Sequence, residues 1–166
     1  MGGGAIGLAS ALVLGLRGAR RIDLVEPSAL RQATARAAGF GDVYSSSDLL
    51  DDKTYDLVVD AVGLDATRSA SMRLVRSGGA IVHLGLSAGD GGFDIQRMTL
   101  DEVIVAESIC YTPNDFEEAI GLLEDARFPL GDWLQRRPMH EATDAFREIA
   151  DGKTQAAKIV LVNQIQ

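Results

Sequence analysis

Apolar and polar positions along the chain switch repeatedly between a helical and a strand-like period. Residues 6–17 carry apolar side chains at near-helical spacing and end at Gly18, which predicts a helix. Short apolar runs bounded by turn residues predict strands at 22–25, 42–44, 57–59, 80–86, 100–108 and 158–163. Further helices are predicted at 28–38, 65–75, 112–125 and 140–151. This alternation predicts an α/β fold, with a parallel sheet covered by helices on both faces.

Composition narrows the class of protein. The length of 166 residues suits one domain, and the net charge of −8 argues against binding to a nucleic-acid backbone. A single cysteine, Cys110, excludes an internal disulfide and is typical of a reducing compartment. No apolar run reaches the roughly 18 residues of a membrane span. We therefore expect a cytoplasmic protein without nucleic-acid or membrane partners.

The opening stretch, MGGGAIGL, carries the chemistry. It reads as G-x-G-x-x-G with Gly2, Gly4 and Gly7 in the glycine positions. In a dinucleotide site these glycines allow a tight turn, close approach of the pyrophosphate and close helix packing. The amides of Ala5 and Ile6 would then face the diphosphate, where the helix dipole favours an anion.

An acidic residue at the expected distance strengthens this interpretation. Glu26 follows Gly7 by nineteen positions and directly follows the predicted strand at 22–25. A carboxylate there can accept hydrogen bonds from the adenosine ribose and would repel a 2′-phosphate, so NAD is favoured over NADP. Arg31 leaves the choice open, because a cation beside the ribose could accommodate a phosphate. The alternative for Glu26 is a solvated charge at a strand end.

Four stretches together resemble the medium-chain dehydrogenase/reductase family, in particular its zinc-dependent alcohol, polyol and threonine dehydrogenases. They are, in chain order, GGGAIGLASALVLGLRGARRIDLVEPS, YDLVVDAVG, LVRSGGAIVHLGL, and TPNDFEEAIGLLED with the ending HEATDAFREIADGKTQAAKIVLV. The resemblance implies a Rossmann-like, doubly wound sheet in three layers. It also implies a nicotinamide dinucleotide partner and hydride transfer to or from an alcohol or polyol.

The resemblance assigns roles to individual residues. The glycine loop would hold the pyrophosphate, and Glu26 with Arg31 would hold the adenosine ribose. Further residues implied to lie beside the cofactor are Val62 in the D-x-x-G stretch, then Leu84, Gly85, Leu86 and the C-terminal Lys158. For Lys158, an exposed lysine ahead of a strand is the alternative. The implied division is a dinucleotide domain at 1–130 and, at 131–166, a C-terminal stretch that packs on the family's catalytic domain.

Two expected parts of the family pattern are missing. The catalytic domain, which would carry the zinc, does not appear, so we expect this chain alone to bind the dinucleotide without turnover. Cys110, His83 and His140 share no zinc-binding motif. We expect Cys110 to be a semi-buried hydrophobe, His83 a hydrogen-bonded core residue, His140 a surface residue, and Trp133 a packing residue.

The first strand of the family, normally directly before the glycines, is also missing. Its absence would leave two neighbouring strands without a partner. The apolar stretch KIVLVN, at 158–163, is expected to fill this position from the same chain or from a neighbour. Exposed strand edges would also favour a homodimer.

Two other functions remain open from the residues. One is a fragment of the zinc-independent quinone-reductase branch, which uses NADPH and is disfavoured by Glu26. The other is a non-catalytic module that senses nucleotides.

Overall fold

The computed structural model describes residues 1–40, 42–124 and 133–163. The helices are α1 (Ala5–Leu16), α2 (Ala29–Ala37), α3 (Asp65–Leu74), α4 (Ile95–Leu100), α5 (Pro113–Glu124) and α6 (Ala142–Ala150). The strands are β1 (Leu24–Val25), β2 (Val43–Tyr44), β3 (Tyr55–Asp60), β4 (Val75–His83), β5 (Ile104–Glu107), β6 (Leu134–Pro138) and β7 (Lys158–Val162). Among these residues, no helix is long and apolar enough to cross a membrane.

All described strand pairs are parallel, and they form the orders β1-β2, β3-β4-β5 and β6-β7. The neighbours Leu24 and Val25 belong to different apolar clusters, because successive side chains of a strand point to opposite faces. Leu24 packs with α1 and α2 residues, whereas Val25 shares a cluster with Met72 of α3. Helices therefore cover both faces, and the predicted Rossmann-like α/β fold is confirmed.

Met1 and Gly2 lie between β1 and β3 and connect them. The Met1 amine donates to the Val59 carbonyl at 2.7 Å, and the Ala61 amide donates to the Met1 carbonyl at 3.1 Å. On the other side, the Gly2 amide donates to the Val25 carbonyl at 2.8 Å. Among the described residues, these two fill the carboxyl end of the gap between β1 and β3.

The expectation that the tail fills this gap within the chain is wrong. Strand β7 pairs instead with β6 along its whole length, from Lys158 to Val162. The segment before β7 is also fixed elsewhere, since the Thr34 hydroxyl donates to the Gln155 carbonyl at 2.7 Å. Strand β6 was not predicted, because its residues, LQRRP, are mostly polar and carry no strand-like alternation.

Helix α4 was also missed, since all but its last residue lies between the strands predicted at 80–86 and 100–108, where no helix was predicted. Its start is set by Asp94, whose side chain accepts from the Arg97 amide at 2.9 Å. This N-cap satisfies one of the free amides of the first turn, which permits a helix of only six residues. The helix predicted at 112–125 is likewise capped at its start, because the Thr112 hydroxyl accepts from the Asp115 amide. The boundary between 130 and 131 falls outside the described residues.

Asp101 links α4 to two neighbouring segments. Its carboxylate accepts from the Arg97 guanidinium at 2.9 Å, the Lys53 ammonium at 3.0 Å and the Ser77 hydroxyl at 3.2 Å. The hydrogen bonds from Arg97 and then Lys53 lower the pKa of Asp101 to about 2. The carboxylate thus binds protons less readily in the folded than in the unfolded protein.

This depressed pKa predicts a loss of stability in acid. The contribution of Asp101 is fully present above about pH 4 and is lost as the pH falls towards 2, through its folded-state pKa. Asp101→Asn should therefore lower the melting temperature at neutral pH, and the difference from wild type should shrink between pH 4 and pH 2. Thermal unfolding across this range measures it. Asp42→Asn, at an exposed carboxylate without an ion pair among the described residues, is the control. A difference in melting temperature that stays constant down to pH 2 would contradict the lowered pKa of Asp101.

Candidate functional site

The glycine loop connects the end of the Met1 segment to α1. Gly2 has a φ of +92°, and a Cβ there would approach the Val62 side chain to 2.7 Å. A Cβ at Gly7 would overlap the carbonyl oxygen of Gly2. Gly4 is the N-cap of α1, and a Cβ there would meet nothing within 4 Å. The loop is therefore tightly packed at Gly2 and Gly7, and open at Gly4.

The start of α1 offers free backbone donors. The helix contains Ala5 and Ile6 in its first turn, and the Leu8 amide is the one that bonds back to Gly4. The first turn carries no acidic side chain, and Ile6 is 58% exposed. The free amides and the helix dipole give this end a partial positive charge that suits a phosphate group.

Glu26 lies beside the loop, at the end of β1. It is only 5% exposed. Its Oε2 accepts from the Gly3 amide at 2.8 Å, and its Oε1 accepts from the Ser28 amide at 2.8 Å. The interpretation of Glu26 as a solvated strand-end charge is therefore wrong. Each carboxylate oxygen keeps a further lone pair, so Glu26 holds the loop in place and can still accept from hydroxyl groups.

Arg31 lies in the first turn of α2, close in sequence to Glu26, and its side chain is half-buried. Within the described ranges it forms no ion pair and no side-chain hydrogen bond. Its guanidinium is therefore not committed to another side chain within those ranges.

The turns after β3 and β4 meet the glycine loop at the same edge of the sheet. Asp60 is fully buried, and its Oδ1 accepts from the amides of Val62 and Gly63 at 3.0 and 2.9 Å. Its backbone carbonyl accepts from the amides of Leu84 and Gly85 at 2.9 and 3.0 Å. A single residue thus fixes both turns.

Close backbone contact joins these two turns. A Cβ at Gly85 would overlap the backbone of Val62 and Gly63, and Val62 in turn lies against Gly2. The structure therefore brings together Gly2, Val62, Leu84 and Gly85. Leu86 follows them but is 86% exposed.

Arg68 is a positioning residue that the sequence analysis missed. Its side chain is buried and donates to the carbonyls of Gly63 at 2.8 Å and Gly89 at 2.6 Å, and also to the carbonyl of Gly91 and the carboxylate of Asp65. It thereby ties the turn after β3 to the glycine-rich loop after β4. An arginine on the apolar face of a predicted helix, upstream of a glycine-rich loop, was the available signal.

His83 differs in part from expectation. It is half-buried, and its Nε2 is buried without a hydrogen-bond partner among the described residues. That atom lies 3.9 Å from Oδ2 of Asp60, beyond hydrogen-bond range, and the ring packs edge-on against Phe93. The expectation of a hydrogen-bonded core histidine is therefore wrong, since His83 is half-buried and its Nε2 has no partner among the described residues.

Of the predictions for the remaining candidate residues, some are confirmed and one is wrong. Cys110 is exposed rather than semi-buried. His140 lies at the surface and Trp133 packs in an apolar cluster, as predicted. Over the described ranges, no group of three or more His, Cys, Asp or Glu side chains is arranged to hold a metal. These residues do not fit a zinc site.

Lys158 is the first residue of β7 and is exposed. No hydrogen bond or ion pair within the described ranges joins it to the glycine loop. The exposed side chain of Lys158 is therefore not held by another described residue of the site.

Comparison with known proteins gives a consistent picture. A family model described as zinc-binding dehydrogenase matches residues 5–125. The probable D-xylulose reductase A of Neosartorya fischeri is 28% identical over 99 residues, covering 59% of this chain and 28% of the relative. The D-xylulose reductase of Saccharomyces cerevisiae is 24% identical over 161 residues, covering 89% of this chain and 45% of the relative.

Solved structures share the fold. Acetophenone reductase from Geotrichum candidum, in complex with NAD, superposes with a TM-score of 0.85 at 22% identity, covering 98% of this chain and 47% of that one. L-idonate 5-dehydrogenase from Escherichia coli gives a TM-score of 0.82 at 22% identity, covering 97% and 48%. The chain spans less than half the length of each of these four proteins.

Proposed function

Because this chain belongs to the zinc-binding dehydrogenase family, we propose that it is the dinucleotide-binding half of an NAD-dependent alcohol or polyol dehydrogenase. The observation that carries this is the pairing of the buried Glu26 carboxylate with the Gly3 amide inside the glycine loop. That pairing supports the proposal, because it joins a carboxylate that could accept from a ribose to a loop whose helix end suits a phosphate. The alcohol and polyol class is supported by the names of the relatives and neighbours.

Each part of the site has a distinct task in this proposal. The free amides of Ala5 and Ile6 bind the pyrophosphate, and Glu26 accepts from the adenosine ribose hydroxyls. The turns after β3 and β4, with Val62, Leu84 and Gly85, present backbone groups to the nicotinamide half, with Leu86 beside them. When bound, the dinucleotide supplies hydride chemistry, while the described residues bind and orient it.

The described residues hold no zinc site, and the relatives are more than twice as long as the matched parts. We therefore propose that reduction or oxidation of a substrate needs residues beyond the described ones. Lys158 remains a proposed second contact to the pyrophosphate, and Arg31 a proposed contact to the ribose side. A C-terminal stretch at 131–166 that packs on a catalytic domain also stays a proposal.

Self-association and location belong to the same proposal. Strand β5 is the outer strand of its sheet, and Ile104 on it is 63% exposed. An open edge with an exposed apolar residue favours pairing with a second copy. We propose a homodimer that works in the cytoplasm, where nicotinamide dinucleotides are available.

Binding measurements test whether the chain binds a nicotinamide dinucleotide and whether it prefers NAD to NADP. The wild-type chain should bind NAD more tightly than NADP in isothermal titration calorimetry. In Glu26→Gln, the ratio of NAD to NADP affinity should fall about tenfold. The amide is a weaker acceptor for the ribose hydroxyls, and it no longer repels a 2′-phosphate.

Glu117→Gln is the matched control, because it makes the same change at an exposed position on α5. It should leave the ratio unchanged. Absence of NAD binding by the folded wild-type chain would reject the proposed function. Binding with an unchanged ratio in Glu26→Gln would reject only the role of Glu26.

A further inference from the structure

A row of three ionisable side chains crosses the carboxyl edge of the sheet β3-β4-β5. His83 on β4 pairs in register with Asp60 on β3 and with Glu107 on β5. Side chains at paired positions of a parallel sheet point to the same face, because side chains alternate between the faces along each strand. Asp60 is fully buried, whereas Glu107 is exposed. His83 therefore lies between one carboxylate in the interior and one in water.

The buried carboxylate of Asp60 accepts hydrogen bonds from neutral donors. They are the amides of Val62 and Gly63 and, at 2.9 Å, the hydroxyl of Thr67. Across the described ranges, no lysine or arginine nitrogen lies within ion-pair distance of this carboxylate, whereas Nε2 of His83 lies 3.9 Å from its Oδ2. A charge in the interior acts strongly on its surroundings, because little water screens it. Protonation of His83 would therefore balance the charge of Asp60.

A small movement of the His83 ring would complete this pair. Its Nε2 is buried without a hydrogen-bond partner among the described residues, and the ring packs edge-on against Phe93 with 5.6 Å between centroids. Charge-assisted hydrogen bonds are about 2.7–2.9 Å long, so a shift of roughly 1 Å at Nε2 would form one with Asp60. Histidine is also the side chain that ordinarily changes its charge between about pH 5 and pH 8. The pair is therefore poised to respond to pH.

The other charged groups on the surrounding elements are already paired or open to water. On α3, Arg68 bonds to Asp65 and to carbonyls of the loop after β4. On that loop Asp90 is exposed, as is Asp94 at the start of α4, and Glu107 is exposed on β5. Water and salt screen exposed charges well. A proton on the His83 ring therefore changes the charge at a place where screening is weaker.

The same pair of residues supports the turns that the proposed function assigns to the nicotinamide half. The Asp60 carbonyl accepts from the amides of Leu84 and Gly85 at 2.9 and 3.0 Å, and His83 directly precedes them in the chain. The nicotinamide ring carries a positive charge in NAD⁺ and none in NADH. An unbalanced carboxylate near this ring favours the cation, and a balanced carboxylate removes that advantage.

We propose that His83 is a specificity-determining residue whose protonation shifts the preference of the site from NAD⁺ towards NADH. With the ring neutral, the charge of Asp60 attracts the oxidised nicotinamide. With the ring protonated, Nε2 donates to Oδ2 of Asp60 and the two charges cancel. This assignment rests on the proposed function, because it requires the nicotinamide to bind at the turns after β3 and β4. By linkage, NAD⁺ should favour the neutral ring and NADH the protonated ring.

Affinities of NAD⁺ and NADH for the full chain, measured by isothermal titration calorimetry at about pH 8 and about pH 6, test the proposal. In wild type, the ratio of NADH to NAD⁺ affinity should rise about fivefold as the pH falls. In His83→Gln the ratio should not change with pH, because an amide gains no proton in this range. His140→Gln is the matched control and should keep the rise. It makes the same change at the other of the two histidines, which is exposed and lies 3.9 Å from Glu141.

A second measurement supports the assignment if His83→Gln fails to fold. In His140→Gln, His83 is the remaining histidine, so the histidine ring signals in proton NMR report it alone. These signals should change at a higher pH in the NADH complex than in the NAD⁺ complex. Identical pH dependence in the two complexes would overturn the proposal.

Other results would also count against His83. The Met1 amine acts electrostatically on Asp60, but it is the same in His83→Gln, so a pH dependence that it causes would persist there and contradict the proposal. A ratio of affinities that does not vary with pH in wild type would overturn the role of His83 and leave the proposed function standing, since binding itself is then observed. Absence of binding of both dinucleotides would reject the proposed function and the role of His83 with it.

Discussion

Gly7→Ala is expected to weaken NAD binding more than about a hundredfold and to destabilise the fold by about 1–3 kcal/mol. The added Cβ would overlap the Gly2 carbonyl oxygen, so α1 and the loop cannot keep their present separation. Displacing α1 moves the free amides away from the position in which they would meet the pyrophosphate. Denaturant unfolding measures the stability, and calorimetry measures the binding.

Substitutions at two other glycines separate the effect on stability from the effect on NAD binding. Gly4→Ala places its Cβ in open space, so its free energy of unfolding should stay close to wild type while NAD binding falls. Gly121→Ala also meets nothing, and it lies within α5, so it should leave both quantities unchanged or add stability. Wild-type stability and binding in Gly7→Ala would show that the loop is not packed as described.

Arg68→Ala is expected to cost about 3 kcal/mol of unfolding free energy, because the buried Gly63 carbonyl is left without its donor and three partly buried acceptors lose theirs at the same time. The carbonyl of Gly63 lies in the interior, whereas those of Gly89 and Gly91 belong to an exposed loop that water can reach. We therefore expect the loop at 87–93 to detach before the rest of the fold. Limited proteolysis of that loop should become faster, and NAD affinity should fall because the turn after β3 loses its anchor.

Arg147→Ala is the control for loss of an arginine, since its ion pair with Asp144 is exposed and should contribute less than about 1 kcal/mol. Arg68→Lys tests geometry, because an ammonium cannot reach the same set of acceptors that a planar guanidinium reaches. If Arg68→Ala unfolds like wild type and keeps its loop protected, the positioning role is wrong.

The local pattern was sufficient for most elements and for part of the site. Glycine spacing identified a loop that packs tightly at Gly2 and Gly7, and the position after a strand identified Glu26. Both signals are local, because a turn and a strand end require particular residue types whatever the rest of the chain does. The turn at Val62 and the stretch at Leu84–Leu86 were recognised through family resemblance rather than through periodicity.

The features that the sequence did not predict all depend on contacts between distant segments of the chain. The strand β6 forms because β7 pairs with it, and nothing in LQRRP predicts that pairing. Arg68 is buried because its acceptors come from loops on both sides of β4. The exposure of Cys110 and the unpaired Nε2 of His83 likewise depend on neighbours from elsewhere in the chain, and residue type alone does not specify them.

The sequence by itself determined the α/β class, the order of helices and strands before the C-terminal stretch except for α4, and the glycine loop with its acidic partner. Periodicity and turn chemistry act over a few residues and can be seen without the fold. Only the tertiary structure decided that the tail pairs with β6 and that Arg68 joins two loops. These outcomes depend on which backbone groups find hydrogen-bond partners in distant segments, and such pairing cannot be predicted from the local sequence.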